Sequence, residues 1–398
     1  MNIMKVHVIS TARAEYNHCL SIAMSLLKRG CDVTLIMTGS HSESFAIDNS
    51  FDPPLPHLYI ANDMVSSEFS VQSNALNRMS SGFSEYWSAN KPDCVVFVGD
   101  RFELLAPVSI AVLLNLVIVH AYGGECDISY CIDTRVRNAV TCLSHLHFVA
   151  HDEMKKRLVS YGEEAWRVHS IGNVALSRIN SADGSSFLKY ARESGWGDGP
   201  FVAACYLPTT TVLGATEKEF NALLDAVLKF KNYTFIWAGV NADAGSGCIR
   251  KALLDLSTKE RGHYFVEGLG TSLFYGLLQS SKCLVGNSSS GFLEAASFKL
   301  PVVNVGTRQV GRLSGGNVVN VAGDVDEIAN ALTLVLSDNM QFKRDNISNP
   351  FYVDDAADKM ACIMCDLFRE KKNDLLIKRY ISGDPSKSGS LVRCKESQ

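Results

Sequence analysis

No stretch of the chain is apolar for long enough to cross a bilayer, and the first residues carry no apolar leader core. Met1 to Ser10 (MNIMKVHVIS) instead alternates like a first β-strand. Strong charge of either sign is also missing. Lysine and arginine total 38 against 42 acidic residues, a net charge of −4. Bulk electrostatics therefore offers no attraction to nucleic acid or to an anionic membrane, and an anionic ligand must be held by a local site. No GxGxxG follows the first strand, which removes the redox dinucleotide fingerprint. The 12 cysteines form no pair of CxxC units and no Cys/His ligand spacing. Cys362 and Cys365 are close, but they lie in a helical pattern from Asp358 to Phe368. Neither a metal nor a cofactor is expected, and most of the cysteines read as buried thiols in a reducing cytoplasm.

At 398 residues the chain is too long for one ordinary core, and two domains are expected. Apolar residues make up 46% and charged residues 20%, the balance of a soluble globular protein. Strand-like runs alternate with helical ones. Lys5 to Ser10, Asp32 to Thr38, Asp93 to Val98 and Leu116 to His120 are strands, with helices from Asn17 to Arg29 and Glu103 to Leu114. A second alternation runs from Phe201 to Cys205, Tyr233 to Trp237, His263 to Val266 and Lys282 to Val285. Such alternation predicts parallel sheets with helices on both faces, so the fold class is α/β. The expected domains are two Rossmann-like units, 1–175 and 176–378, facing a cleft, with a polar tail over 379–398. In such sheets ligands lie beyond the carboxyl ends of the strands, which points to Arg13, Asp100, Arg101, His120 and Glu125.

Cys283 to Arg312 (CLVGNSSSGFLEAASFKLPVVNVGTRQVGR) is the stretch richest in chemistry. It reads as strand, hydroxyl-rich turn (Asn287, Ser288, Ser289, Ser290, Gly291), helix (Phe292 to Phe298) and strand. Free N–H groups at a helix start cradle anions. Glu294 can accept both hydroxyls of a ribose, and Arg308 and Arg312 can bond phosphate. Serines also cap helices, so this piece alone leaves both readings open. Asp100 follows a strand, where an aspartate also serves as a helix cap. Glu125 follows Gly123-Gly124 in a loop, where a carboxylate has no packing role. Asp133 and Arg137 are one helical turn apart and share a face, as catalytic groups or as a plain salt bridge. His145 and His147 read as structural, and Arg135 as a solvated charge.

Together TARAEY, VGDRFELLA, HAYGGE, DTRVRNAVTCLSHLHF, SIGNVAL, NADAG and the 283–312 stretch resemble the UDP-N-acetylglucosamine 2-epimerase family, over roughly residues 5 to 320. The closer likeness is to its hydrolysing branch, which makes N-acetylmannosamine or related sugars for sialic-acid-type synthesis. The resemblance implies a GT-B-like pair of Rossmann domains and a nucleotide-sugar substrate, by default UDP-N-acetylglucosamine. It also implies a homodimer or homotetramer. It assigns acid/base work to Asp100, Glu125 and Asp133. Arg13 and Arg137 become cleft cations, Ser288 to Gly291 hold phosphate, and Glu294 takes the ribose.

Some positions depart from the family pattern. Leu207 stands in Tyr206-Leu207-Pro208 where a histidine is usual, and Tyr122 stands where histidine is expected. Thr134 follows Asp133 where a second acid is common. The Cys126 to Ile132 segment is longer than usual and lacks a glycine. These changes gather around the sugar, which keeps two other readings open: a glycosyltransferase using the same cleft, and a nucleotide-sugar binder without turnover.

Overall fold

Short runs of valine, isoleucine and alanine form the strands, because β-branched side chains suit a pleated surface buried on both faces. The structure, a computed structural model, describes residues 3–41, 54–64, 66, 68–125, 132–208, 213–239, 246–337 and 344–379. The tail expected over 379–398 lies outside them from residue 380 onward.

The first sheet holds β1 (Lys5–Ser10), β2 (Asp32–Met37), β3 (His57–Tyr59), β4 (Cys94–Val98), β5 (Val117–Ala121), β6 (Leu146–Val149) and β7 (Val168–Ser170). Its order is β3-β2-β1-β4-β5-β6-β7, and every neighbouring pair is parallel. The second holds β8 (Phe201–Cys205), β9 (Thr234–Ala238), β10 (His263–Val266), β11 (Ser281–Gly286), β12 (Val302–Val305) and β13 (Val318–Val321). Its order, β10-β9-β8-β11-β12-β13, repeats the plan of the first, again all parallel. These are two Rossmann-like domains, as expected. Each sheet reverses its winding once, between β1 and β4 and between β8 and β11. Those reversals open the crevices where α/β sheets take ligands.

Helices cover both faces. The helix Phe69–Ala89 buries Ala75, Met79, Phe83 and Trp87, a four-residue step that keeps one face on the sheet. Trp87 Nε1 donates to His7 Nδ1 at 3.0 Å, which satisfies the indole in the core.

The structure corrects two expectations and adds two strands that the sequence pattern did not announce, β3 and β13. The first is only three residues long, at an edge beside prolines. The second, VVNV, duplicates the sequence of β12 and pairs with it in register, Asn304 Nδ2 donating to Asn320 Oδ1 at 2.8 Å. The expected helix from Phe292 to Phe298 is instead one α-turn, Ser290–Leu293, and a 3₁₀ turn, Ala295–Phe298, with Glu294 at the joint. Lys299 then takes a left-handed φ of 54° and Pro301 leads into β12, so there is no length for a longer helix.

The second correction concerns the domain limit. The helix Ala356–Glu370, expected within the second domain, returns to the first. Its Met360, Ala361, Met364 and Phe368 share a core with Val6, Val33 and Val96 and pack against the helix Arg13–Lys28. Arg167 fastens the segment after that helix by donating to the carbonyls of Asp374, Leu375 and Ile377. Lys378 adds an ion pair to Glu163 at 2.7 Å.

Candidate active site

Both winding reversals carry polar groups. After β4 the chain turns at Gly99, with φ +80°, and presents Asp100. His120, buried on β5, holds that turn. Its Nε2–H donates to the Gly99 carbonyl at 2.8 Å, so Nδ1 accepts from Thr141 Oγ1 at 3.1 Å. Burial lowers its pKa to about 4, which keeps the ring neutral. A Cβ on Gly123 would fall 2.7 Å from Thr141 Oγ1, so glycine is required where β5 turns out toward Glu125.

Arg137, on the helix Ile132–Leu143, is 1% exposed and joins these loops. Its Nε donates to Asp100 Oδ2 at 3.0 Å, Nη2 bonds the same oxygen, and Nη1 donates to the Glu125 carbonyl at 3.0 Å. Burial opposes the Asp100 charge, but Arg137, Arg312 and Arg101 outweigh it and hold the carboxyl below its usual range. Asp100 is therefore ionised at neutral pH. Asp133 opens the same helix, one turn before Arg137. Arg135 is exposed, as expected.

The two domains meet at charge. Arg312, from the loop after β12, lies 3.5 Å from Glu125 Oε1 with both side chains about nine-tenths buried (11% and 12% exposed). That distance allows attraction without a well-formed hydrogen bond. Glu125 Oε1 and Glu294 Oε2 are buried and accept no hydrogen bond from the described residues. Burial raises the Glu294 carboxyl to about 7, against the Ser290 hydrogen bond and the Arg312 charge. Two acidic oxygens thus stand in the seam with unused lone pairs, which suits donors on a ligand.

The second domain's turn differs in detail from the reading of the sequence. Asn287, expected to meet substrate, spends its side chain on the protein. Its Oδ1 accepts from Leu207 N at 2.7 Å and its Nδ2 donates to Leu207 O at 2.8 Å, so it ties the end of β11 to the end of β8. Its carbonyl accepts from Arg308 Nη1 and Gln309 Nε2, both at 3.0 Å. Gly291 has a packing reason to be glycine, since a Cβ would lie 2.8 Å from Val302 Cγ1. Ser288 Oγ accepts from Ser290 N at 3.3 Å, and Ser289 precedes the α-turn. Leu207 is buried in the second core and brings no proton donor to the cleft. Arg13 begins the first helix, and its side chain lies outside the described residues, as do residues 126–131.

His145 and His147 are structural, as expected. His145 Nδ1 accepts from Ile118 N at 3.0 Å, and His147 Nε2 pairs with Glu163 at 3.0 Å. Sequence reasoning missed Glu15, 7% exposed, which accepts from Thr11 N and Thr11 Oγ1 at 3.2 and 2.8 Å. It also missed the set around the Tyr122 hydroxyl. Tyr122 stood out only as a departure from a family pattern, and nothing in its neighbours announced its partners.

The profile of the UDP-N-acetylglucosamine 2-epimerase family matches residues 25–365. The chain belongs to that family. A GDP/UDP-N,N'-diacetylbacillosamine 2-epimerase (hydrolyzing) of Campylobacter jejuni is 32% identical over 80% of this chain and 85% of its own length. The corresponding UDP-N,N'-diacetylbacillosamine 2-epimerase (hydrolyzing) of Legionella pneumophila is 30% identical over 84% and 89%. Among solved structures, the UDP-GlcNAc 2-epimerase of Methanocaldococcus jannaschii in complex with UDP-GlcNAc and UDP superposes with a TM-score of 0.72 at 18% identity, covering 91% of this chain and all of that one. The shared fold is the two-domain GT-B-like arrangement. The reaction class of this family member is hydrolysing 2-epimerisation of a nucleotide sugar.

Proposed function

We propose that this chain takes a UDP-linked N-acetylated hexosamine and releases UDP and the free sugar inverted at C2. A base removes the C2 proton while the C1–O bond breaks, and the bonding electrons leave with UDP. A C1=C2 glycal remains. Water then adds its oxygen at C1, and a proton returns to C2 on the opposite face. Asp100, Glu125 and Asp133 supply the acid and base. Arg137 and Arg312 stabilise charge on the departing diphosphate, as fixed cations do in a low-dielectric cleft. Ser288, Ser289, Ser290 and Arg308 hold the phosphates, and Glu294 takes the ribose.

The observation that carries this reading is the Glu125–Arg312 pair, a carboxylate from the turn after β5 of the first sheet against a guanidinium from the loop after β12 of the second. For the sugar we favour a 2,4-diacetamido-2,4,6-trideoxyhexose over N-acetylglucosamine, on the names of the two bacterial relatives. The free product belongs in nonulosonic acid or surface polysaccharide synthesis. Its place of work is the cytoplasm, supported by free cysteines that are mostly buried. Self-association into a dimer or tetramer is supported by Leu105, Val112 and Leu113, which are 40, 43 and 80% exposed on one helix.

The test is Glu125→Gln, assayed for UDP release with both sugar nucleotides and for UDP affinity by calorimetry. Turnover should fall by at least about a hundredfold while UDP affinity stays. A variant as active as the wild type would remove Glu125 from the chemistry.

A further inference from the structure

Tyr122 lies directly after β5 with φ +73°, a left-handed conformation that costs a non-glycine residue energy and persists only where its surroundings impose it. What imposes it is visible at the hydroxyl. Val174 N donates to Tyr122 Oη at 2.9 Å, the hydroxyl donates to Asn173 Oδ1 at 3.3 Å, and His18 Nδ1 lies 3.1 Å away. Burial lowers His18 to about 4, so its ring is neutral. With the phenol proton on Asn173, both lone pairs accept, from Val174 N–H and from His18 Nδ1–H. The group is then saturated.

Asn173 and Val174 are where the chain leaves the first domain. They connect β7 to the 3₁₀ segment Val174–Ser181, which leads to the helix Gly184–Glu193 of the second domain. The return crossing passes the same point. Asn173 N donates to Phe351 O at 2.8 Å, and a Cβ on Gly172 would meet Val353 at 2.7 Å. Both crossings between the domains therefore meet at Gly172-Asn173, and the phenol holds the outgoing one at Asn173 and Val174. The other end of the tyrosine's backbone is the turn Gly123-Gly124-Glu125.

We propose that Tyr122 is a positioning residue that couples the interdomain crossing to Glu125. With the crossing seated, the phenol holds the turn strained and aims Glu125 at the second domain's Arg312. When the crossing shifts as the cleft opens, the hydroxyl loses Val174 and Asn173, and Glu125 loses its aim. The inference rests on the proposed reaction and adds how the carboxylate is delivered only to a closed cleft.

Two variants cut the link from opposite sides. Tyr122→Phe keeps the ring and removes the hydroxyl. Val174→Pro removes the N–H donor at the first position of a helical segment, where proline fits, and Asn173 before it is already extended (φ −97°, ψ 114°). Each should lower kcat by about ten- to a hundredfold, the cost of a misplaced catalytic group. KM and UDP affinity should stay near wild type. The double variant should be no slower than either single one, because both remove the same link. An unchanged kcat in Tyr122→Phe, multiplicative losses in the double variant, or a parallel loss of UDP affinity would each overturn the coupling. A wild-type protein that releases no UDP from either sugar nucleotide would sink the reaction and the coupling together. Active wild type with unaffected variants would sink the coupling alone.

Discussion

Asp100 and Glu125 are held through one guanidinium, so neither loop can move without the other feeling it. Arg137 supplies its Nε and Nη2 to the carboxylate and its Nη1 to the Glu125 backbone. Such a fork fixes both position and charge. Beneath Asp100 lies Glu15, whose Oε1 would sit 3.0 Å from a Cβ on Gly99 and accepts no hydrogen bond from the described residues. Burial, with help from Glu103 and Asp100, raises its pKa to about 8 against Thr11 and Arg101. The folded protein then binds this proton more tightly than the unfolded chain. Stability must fall as pH rises from about 4.5 toward 8, and the cost is complete above that. Glu15→Gln should shrink the stability difference between pH 5 and pH 8 by at least roughly 1 kcal/mol, read from melting curves at the two values. Parallel curves for variant and wild type would contradict a neutral Glu15. At this scale the sequence disclosed which residues lie just past strand ends, such as Asp100 after β4 and Glu125 after β5, because a strand end is a fixed address. It did not disclose that the Asn287 side chain bonds the backbone of Leu207, 80 positions away, a relation no local pattern encodes.

Elements were legible where burial forced a simple pattern. Strand β4 is entirely buried, and its run of apolar residues could only be a central strand. Edge strand β3 lacks that pressure, and β13 shows only partial burial. The short α-turn at Ser290–Leu293 was read as a longer helix because its apolar spacing continues into the 3₁₀ turn. This matters for ligand binding. A single turn has little macrodipole, so phosphate must be held by hydroxyls, backbone N–H groups and arginines rather than by a helix field. The helix Leu105–Leu113 is apolar on almost every side (LAPVSIAVL) yet leaves Leu113 mostly exposed. A face of that kind is expected against a second copy. Light scattering should show an oligomer for the wild type and a smaller mass for Leu113→Asp. A monomeric wild type would contradict self-association.

At the scale of the molecule, two sheets wound in the same order bring loops from the carboxyl ends of their strands together at Glu125 and Arg312. The returning helix Ala356–Glu370 then locks the chain's end onto the first core. The doubled α/β plan was legible from the alternation alone. The return was not, because amphipathic spacing says that a helix packs but not against which domain. The plan brings Glu125, past the carboxyl end of β5, to Arg312, past the carboxyl end of β12, as a proton abstraction beside a departing diphosphate requires. The decisive measurement is incubation with a UDP-linked N-acetylated hexosamine in deuterated water, with NMR of the products. UDP and a free C2-inverted sugar carrying deuterium at C2 are the expected products. UDP released with C2 still protiated and unchanged in configuration would contradict the proposed reaction and favour simple hydrolysis or transfer in the same cleft.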